Sequence, residues 1–212
     1  MRYGFDRQLK ELNTELVRMG SLIEQAIELA ISAYMRQDVT KAKEAIAFDD
    51  EIDEIEKQIE NMCLKLLLQQ QPVAKDLRLI SSALKMITDM ERIGDHASDI
   101  SEITILLSKE ENLKKMPQIE KMAKETTFMV IKSVEAFVNR DLSLAYEVIK
   151  HDDIVDQLFN ELKAEIIRQI NTNAEDGEQA TDLLMIGKYF ERIGDHATNI
   201  AEWVIFSITG EH

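Results

Sequence analysis

Residues 91–100 read ERIGDHASDI and residues 191–200 read ERIGDHATNI, so one ten-residue phrase occurs twice, 100 residues apart. Chance does not keep two acids, an arginine, a glycine and a histidine in the same register. The chain is therefore expected to consist of two related halves. Each half should carry a similar acidic site.

The repeat extends beyond this phrase. Residues 49–53 read DDEID and residues 152–156 read DDIVD, an offset of 103 residues, and Asp38 and Asp141 are also 103 residues apart. The change of offset from 103 to 100 predicts a small length difference in the loop between the second and third segments of each half. Each unit is about half of the chain, which is too long for a solenoid repeat and indicates duplication of a small helical domain.

The composition favours a helical protein whose main partners are neither nucleic acids nor membranes. The chain has 212 residues with only 7 Gly and 2 Pro, which favours helices over short strands and turns. A net charge of −15 argues against nucleic acid and anionic lipid as partners and fits cations or basic protein surfaces. Cys63 is the single cysteine, which excludes an intramolecular disulfide. The sequence shows no secretory signal and no bilayer-spanning stretch, so a soluble cytoplasmic protein is expected.

The spacing of apolar residues predicts six long helices, because steps of three and four recur along almost the whole chain. In the first half we expect helices at about 9–34, from a cap at Asp38 to about 68, and at about 73–108. In the second half we expect a helix opening at Pro117, turns near 139–141 and 171–177, and a last helix ending near 208. The predicted fold is all-α, with two tandem three-helix bundles at residues 1–108 and 117–212 and a polar linker at 109–116.

The acidic residues of these helices are spaced four apart, which places their side chains on one helix face with Cβ atoms about 5–6 Å apart. In the first half the second and third helices each carry such a stripe, and the second half repeats the pattern. We expect the two stripes of each half to meet at the edge of the core. The candidate metal ligands are Asp49, Asp53, Glu91, Asp95, Asp99, Asp152, Asp156, Glu191, Asp195 and Asn199.

Clustered carboxylates repel each other, by about 4 kcal/mol for two charges 4 Å apart near a protein surface. A bound hard cation would neutralise them, and all-oxygen ligation favours Mg²⁺, Ca²⁺, Mn²⁺ or iron. The alternative is a solvated acidic face in which Arg92 and Arg192 neutralise Asp95 and Asp195. The occurrence of the pattern on two helices in both halves favours the metal interpretation.

The histidine and glycine of the phrase have simpler interpretations. His96 and His196 point about 100° away from the preceding aspartates. We expect a structural hydrogen bond to a neighbouring helix more than metal ligation at the rim of the site. Gly94 and Gly194 lie mid-helix, where glycine costs about 1 kcal/mol relative to alanine, so they predict close approach of another helix.

Enzymatic alternatives have weaker support. Residues 49–53 and 152–156 both match DDXXD, which holds Mg²⁺ and a substrate diphosphate in all-helical prenyl-transfer enzymes, but neither copy has an adjacent arginine cluster. Ferritin-like di-iron chemistry requires Glu-x-x-His, which is absent. A metal-free helical adaptor is the third interpretation. No catalytic site is predicted.

The duplicated phrase on the third helix, with Asp-x-x-x-Asp on the second, resembles the PhoU family of phosphate-signalling proteins. The resemblance covers essentially the whole chain. It implies two three-helix bundles that hold metal through E(D)XXXD motifs, with oxygen ligands to divalent or trivalent ions: iron, zinc, manganese, magnesium or calcium. One position departs from the family, which usually has Asn in both copies, whereas this chain has Asp99 and Asn199.

The same resemblance implies a cytoplasmic, often dimeric regulator without enzymatic activity. Such proteins restrain phosphate uptake and phosphate-starvation signalling. They do so by contacting the ATPase subunit of the phosphate ABC transporter and a phosphate-sensing histidine kinase. A homodimer with these two partners, and without nucleic acid or membrane insertion, is therefore the expectation for this chain.

Overall fold

A computed structural model describes residues 2–69, 73–110, 113–173 and 177–211, and within them the chain forms six α-helices and no strand. This confirms the predicted all-α fold. Residues 70–72, 111–112 and 174–176, which belong to the predicted breaks and linker, lie outside the described residues. The helices are α1 (Arg2–Arg36), α2 (Val39–Gln69), α3 (Ala74–Leu107), α4 (Pro117–Asn139), α5 (Leu142–Thr172) and α6 (Gly177–Thr209).

The duplication is visible in the backbone at the start of α2 and α5. Asp38 accepts hydrogen bonds from the backbone N–H of Thr40 and Lys41 at 3.0 and 3.2 Å, and Asp141 accepts one from Leu144 at 3.0 Å. The residues immediately before these caps, Gln37 and Arg140, have left-handed φ values of 53° and 54°. Few residues other than glycine adopt that conformation, so both halves use the same unusual turn. The predicted cap at Asp38 is confirmed.

The two halves share one hydrophobic core. Helices α1, α2 and α3 pack together, α4, α5 and α6 pack together, and the halves meet along α3–α6 and α1–α4. One continuous cluster of buried side chains includes Met90 and Ile93 of α3 together with Phe190 and Ile193 of α6. The duplicated phrase therefore lies at the centre of the molecule, on the two helices that join the halves.

The single cysteine and the hydrophobicity of the helices bear on reactivity and on membrane insertion. Cys63 is fully buried in the core, and burial raises the pKa of its thiol to about 12. Such a thiol is a packing residue with little nucleophilic character. Among the described residues, none of the helices is both long and apolar enough to cross a membrane.

Candidate functional site

The first acidic cluster consists of Asp49 and Asp53 of α2 with Glu91 and Asp95 of α3. The two helices approach each other at Gly94, where a Cβ atom would lie 2.9 Å from Cδ1 of Ile52 and 3.4 Å from Oδ1 of Asp49. The missing side chain thus lets α2 come close enough to bring its carboxylates beside those of α3. This confirms the predicted close approach at the glycine.

Asp49 is the most perturbed carboxylate of this cluster. Burial and, to a smaller extent, the charges of Asp95, Asp53, Asp50 and Asp99 together raise its pKa to about 6 from the ordinary 3.8. Its Oδ1 atom is buried and has no hydrogen-bond donor among the described residues. A buried oxygen without a donor costs about 1–3 kcal/mol, and a proton on the carboxyl group or a bound cation would offset this cost.

Part of the remaining negative charge is already balanced by neighbouring cations. Burial raises the pKa of Glu91, Asp95 raises it further, and Arg92 opposes both effects. Arg92 donates to Asp95 at 2.9 Å and lies 3.5 Å from Glu91. Asp53 lies 3.7 Å from Lys57. The predicted neutralisation by arginine therefore occurs at the rim of the first cluster but does not reach Asp49.

The second acidic cluster consists of Asp152 and Asp156 of α5 with Glu191 and Asp195 of α6. At Gly194 a Cβ atom would lie 2.9 Å from Oδ1 of Asp152, so the glycine again admits the carboxylate. Burial, followed by the charges of Asp156, Asp195 and Glu191, raises the pKa of Asp152 to about 6. Burial and Glu191 also raise the pKa of Asp195.

The cations beside the second cluster differ from those beside the first. Lys188 forms an ion pair with Glu191. Among the described residues, no carboxylate lies within ion-pair distance of Arg192, although the sequence ERIGD is the same in both copies. The pairing of Arg192 with Asp195, which the alternative of a solvated acidic face expects, is therefore not observed.

The residues fit a hard cation in their chemistry. The donors of both clusters are carboxylate oxygens, which Mg²⁺, Ca²⁺ and Mn²⁺ prefer. The buried Oδ1 of Asp49 is an available ligand atom without another partner. Across the described part of the chain, however, no three His, Cys, Asp or Glu side chains are grouped closely enough to hold a metal ion. In each half, two neighbouring helices bring their carboxylates close together, but among the described residues these carboxylates do not form a complete set of metal ligands.

Asp99 and Asn199, the two positions at which the copies of the phrase differ in charge, face the contact between α3 and α6. Asn199 donates its amide to Oδ1 of Asp89 at 3.1 Å, and Nδ1 of His196 lies 2.8 Å from the same oxygen. Asp99 lies 3.4 Å from Nδ1 of His96, and burial of the Tyr189 hydroxyl, followed by the charge of Asp99, raises the pKa of Tyr189. Metal ligation by Asp99 and Asn199 stays a prediction, and the structure gives both positions a role between the halves.

Asp89 and Tyr189 were not identified from the sequence as important residues. They occupy equivalent positions, 100 residues apart and just before the phrase, but one is an acid and the other a phenol. A signal in the sequence could have revealed them. The two halves differ at positions 89 and 189, and they differ again at positions 99 and 199. An acid at 89 faces an amide at 199, and a phenol at 189 faces an acid at 99. Each pair combines a hydrogen-bond donor with an acceptor.

Comparison with known proteins identifies the family to which this architecture belongs. The model of the PhoU domain matches the chain twice, at residues 16–104 and 119–204. The chain belongs to the PhoU family. The phosphate-specific transport system accessory protein PhoU homolog of Clostridium acetobutylicum is 40% identical over 208 residues, covering 98% of this chain and 95% of the relative. The homolog from Aquifex aeolicus is 37% identical over 186 residues, covering 88% and 84%.

Solved structures of the PhoU family have the same fold. PhoU from Pseudomonas aeruginosa superposes with a TM-score of 0.93 at 31% identity, covering 98% of this chain and all of the other. The phosphate transport system regulatory protein PhoU from Streptococcus pneumoniae gives a TM-score of 0.91 at 30% identity, with 98% of each chain covered. The two-unit, six-helix architecture is therefore that of the family.

Proposed function

We propose that this protein is a non-enzymatic, cytoplasmic regulator that restrains phosphate uptake and phosphate-starvation signalling. The observation that supports this most directly is the 40% identity, over nearly the full length of both chains, to an accessory protein of the phosphate-specific transport system. The Streptococcus pneumoniae neighbour is described as a regulatory protein of phosphate transport. The proposed partners are the ATPase subunit of the phosphate ABC transporter and a phosphate-sensing histidine kinase, bound by a homodimer.

We further propose that each acidic cluster holds one or more divalent or trivalent cations. The support is electrostatic, because Asp49 and Asp152 both have pKa values raised to about 6 by burial and by neighbouring carboxylates. A cation would remove this repulsion and would join α2 to α3 in one half and α5 to α6 in the other. Its expected effect is to stiffen the helix pairs.

Metal content tests the cluster assignment. We expect the Asp95→Asn, Asp195→Asn double variant to retain far less metal than the wild type, measured by elemental analysis after dialysis. The matched control is Asp50→Asn, Asp153→Asn, which removes exposed acids on the same helices as Asp49 and Asp152. Equal metal content in the wild type and the Asp95→Asn, Asp195→Asn variant would refute the assignment.

Binding to the transporter ATPase tests the regulatory role. Purified protein should bind the isolated ATPase subunit in a titration, and wild type and metal-depleted protein should be compared. Binding that depends on metal supports a regulatory cation, whereas equal binding of both forms identifies a metal-independent adaptor. Turnover of a phosphoester or diphosphate by the pure protein would contradict the non-enzymatic assignment.

A further inference from the structure

An open cleft lies where α3 meets α6, and both copies of the duplicated phrase line it. The arginine and the histidine of each copy contribute, which places Arg92, His96, Arg192 and His196 around one space together with Thr198. The imidazole rings of the two histidines have their centroids 5.5 Å apart. The cleft therefore joins equivalent polar groups from the two halves of a chain that is otherwise strongly acidic.

Arg192 is the available cation of this cleft. Arg92 uses one guanidinium nitrogen on Asp95 at 2.9 Å, which leaves other N–H donors on its planar group. Arg192 is exposed and has no carboxylate within ion-pair distance among the described residues. A guanidinium presents N–H donors in a fixed fork that matches the oxygens of a tetrahedral oxyanion.

Thr198 supplies a second unused polar group. Its hydroxyl oxygen is buried and has no hydrogen-bond partner in the described part of the chain. A ligand that accepts its hydrogen would supply the missing partner. Thr198 lies on the same helix as Arg192 and lines the same cleft.

The two histidines present acceptors to the cleft. Nδ1 of His196 lies 2.8 Å from Asp89, and Nδ1 of His96 lies 3.4 Å from Asp99. Because an ionised carboxylate can only accept hydrogen bonds, Nδ1 of each ring is the donor, and Nε2 is the ring atom that no carboxylate uses and that can accept from a ligand. Asp195, which also lines the cleft, is a further acceptor. A complementary ligand must therefore both accept and donate hydrogen bonds.

We infer that this cleft binds inorganic phosphate in its hydrogen-phosphate form. The unprotonated oxygens accept from Arg192, Arg92 and Thr198, while the remaining P–OH group donates to an imidazole Nε2 or to Asp195. Sulfate has no proton to donate at neutral pH. A phosphate monoester, whose second pKa is about 6, has lost its proton as well. The site should therefore favour inorganic phosphate over both, and this inference does not depend on a metal in either acidic cluster.

Calorimetric titration of the full chain tests the ligand. The protein is first treated with EDTA, so that phosphate cannot bind through a cation in an acidic cluster. We expect saturable binding of inorganic phosphate, with sulfate and phosphoserine weaker by about tenfold or more, which is the effect of one unfavourable polar contact. Absence of phosphate binding at millimolar concentration, or equal binding of sulfate, overturns the inference. Tighter binding of phosphoserine overturns it in favour of a phosphorylated partner.

Two variants locate the binding. Arg192→Gln should weaken phosphate binding by about tenfold or more, because a charge-assisted contact is lost. The control Arg168→Gln, at an exposed arginine of α5 that pairs with Glu165, should leave it unchanged. Thr198→Val should also weaken phosphate binding but should not lower the melting temperature, because the hydroxyl has no partner without ligand. Unchanged affinity in both Arg192→Gln and Thr198→Val overturns the assignment.

Discussion

At the scale of single residues, burial and like charges together raise the pKa most strongly at Asp49 and Asp152 among the described carboxylates. Each has a pKa raised to about 6 from the ordinary 3.8 of an unfolded chain. The folded protein therefore binds protons at these positions more tightly than the unfolded chain does. The ionised groups reduce stability above pH 6, and this penalty is relieved as the pH falls through 6 towards 3.8.

We predict that the cation-free protein becomes more stable when the pH is lowered from neutrality to just below 6. The melting temperature, followed by circular dichroism, should rise, and the rise should vanish in the Asp49→Asn, Asp152→Asn double variant. That variant should also melt higher than the wild type at neutral pH. The Asp50→Asn, Asp153→Asn variant should keep most of the wild-type pH dependence, because Asp50 and Asp153 raise the pKa values of Asp49 and Asp152 less than burial does. A wild-type melting temperature that only falls over this range would contradict the prediction.

The glycines of the phrase are required by the close approach of a neighbouring helix. At Gly94 an added Cβ would lie 2.9 Å from Cδ1 and 3.2 Å from Cγ2 of Ile52, a fully buried side chain. Overpacking a core typically costs about 1–3 kcal/mol, which exceeds the gain of about 1 kcal/mol in helix propensity. Gly20 is a matched case in α1, because a Cβ there would meet Val134 at an ordinary 3.5 Å.

The two glycine substitutions should therefore have opposite signs. Gly94→Ala is predicted to lower the free energy of unfolding by about 1 kcal/mol, measured by urea denaturation. Gly20→Ala is predicted to raise it by up to about 1 kcal/mol. Equal changes in the free energy of unfolding for Gly94→Ala and Gly20→Ala would show that the close approach of α2 is not the reason for glycine at position 94.

At the scale of the helices, α3 and α6 are joined by two different polar pairs at equivalent positions. Asp89 of α3 accepts from Asn199 and His196 of α6, and the Asp99 carboxylate of α3 lies beside Tyr189 of α6, whose pKa is raised by burial and by that charge. In both pairs α3 supplies the carboxylate and α6 supplies a group that can donate, so the duplicated helices differ in a coordinated way. The asymmetry between Asp99 and Asn199 has a physical reason that does not require different metal sites.

The polar pairs predict unequal responses to exchanging Asp and Asn. Asn199→Asp removes the amide donor and places a second carboxylate beside Asp89, so it should destabilise the protein by about 1–3 kcal/mol. Asp99→Asn keeps a polar oxygen beside Tyr189 and removes one charge near Asp49, so its effect should stay within about 0.5 kcal/mol. Urea denaturation of both variants measures the difference. A larger loss in Asp99→Asn than in Asn199→Asp would contradict this account.

At the scale of the whole molecule, the halves are tied together by a common core along α3–α6 and α1–α4. We predict a single cooperative unfolding transition despite the internal repeat. Trp203 of α6 is the only tryptophan, so its fluorescence reports on the second half, whereas far-ultraviolet circular dichroism reports on all six helices. The two denaturation curves should coincide. A tryptophan transition displaced from the circular dichroism transition would show that the halves unfold independently.

Much of the fold could be predicted from the sequence because its determinants are local. Apolar spacing, few glycines and prolines, and the cap at Asp38 act within a few residues of each other, and they predict the six helices with bounds close to those observed, except that α1 begins at Arg2 rather than near residue 9. The repeated phrase likewise indicated the two related halves. Helical spacing alone was sufficient to place Glu91 and Asp95 on one face of α3.

The tertiary structure decided which groups face each other across helices. The packing of α3 against α6 decides that Asp89 lies beside Asn199 and that Asp99 lies beside Tyr189. It also decides that Arg192 has no ion-pair partner among the described residues. Side chains on one helix face have an order that the sequence fixes, but their partners on another helix depend on the axial shift and rotation between the two. That relative placement is set by packing of the shared core, to which residues from the entire chain contribute.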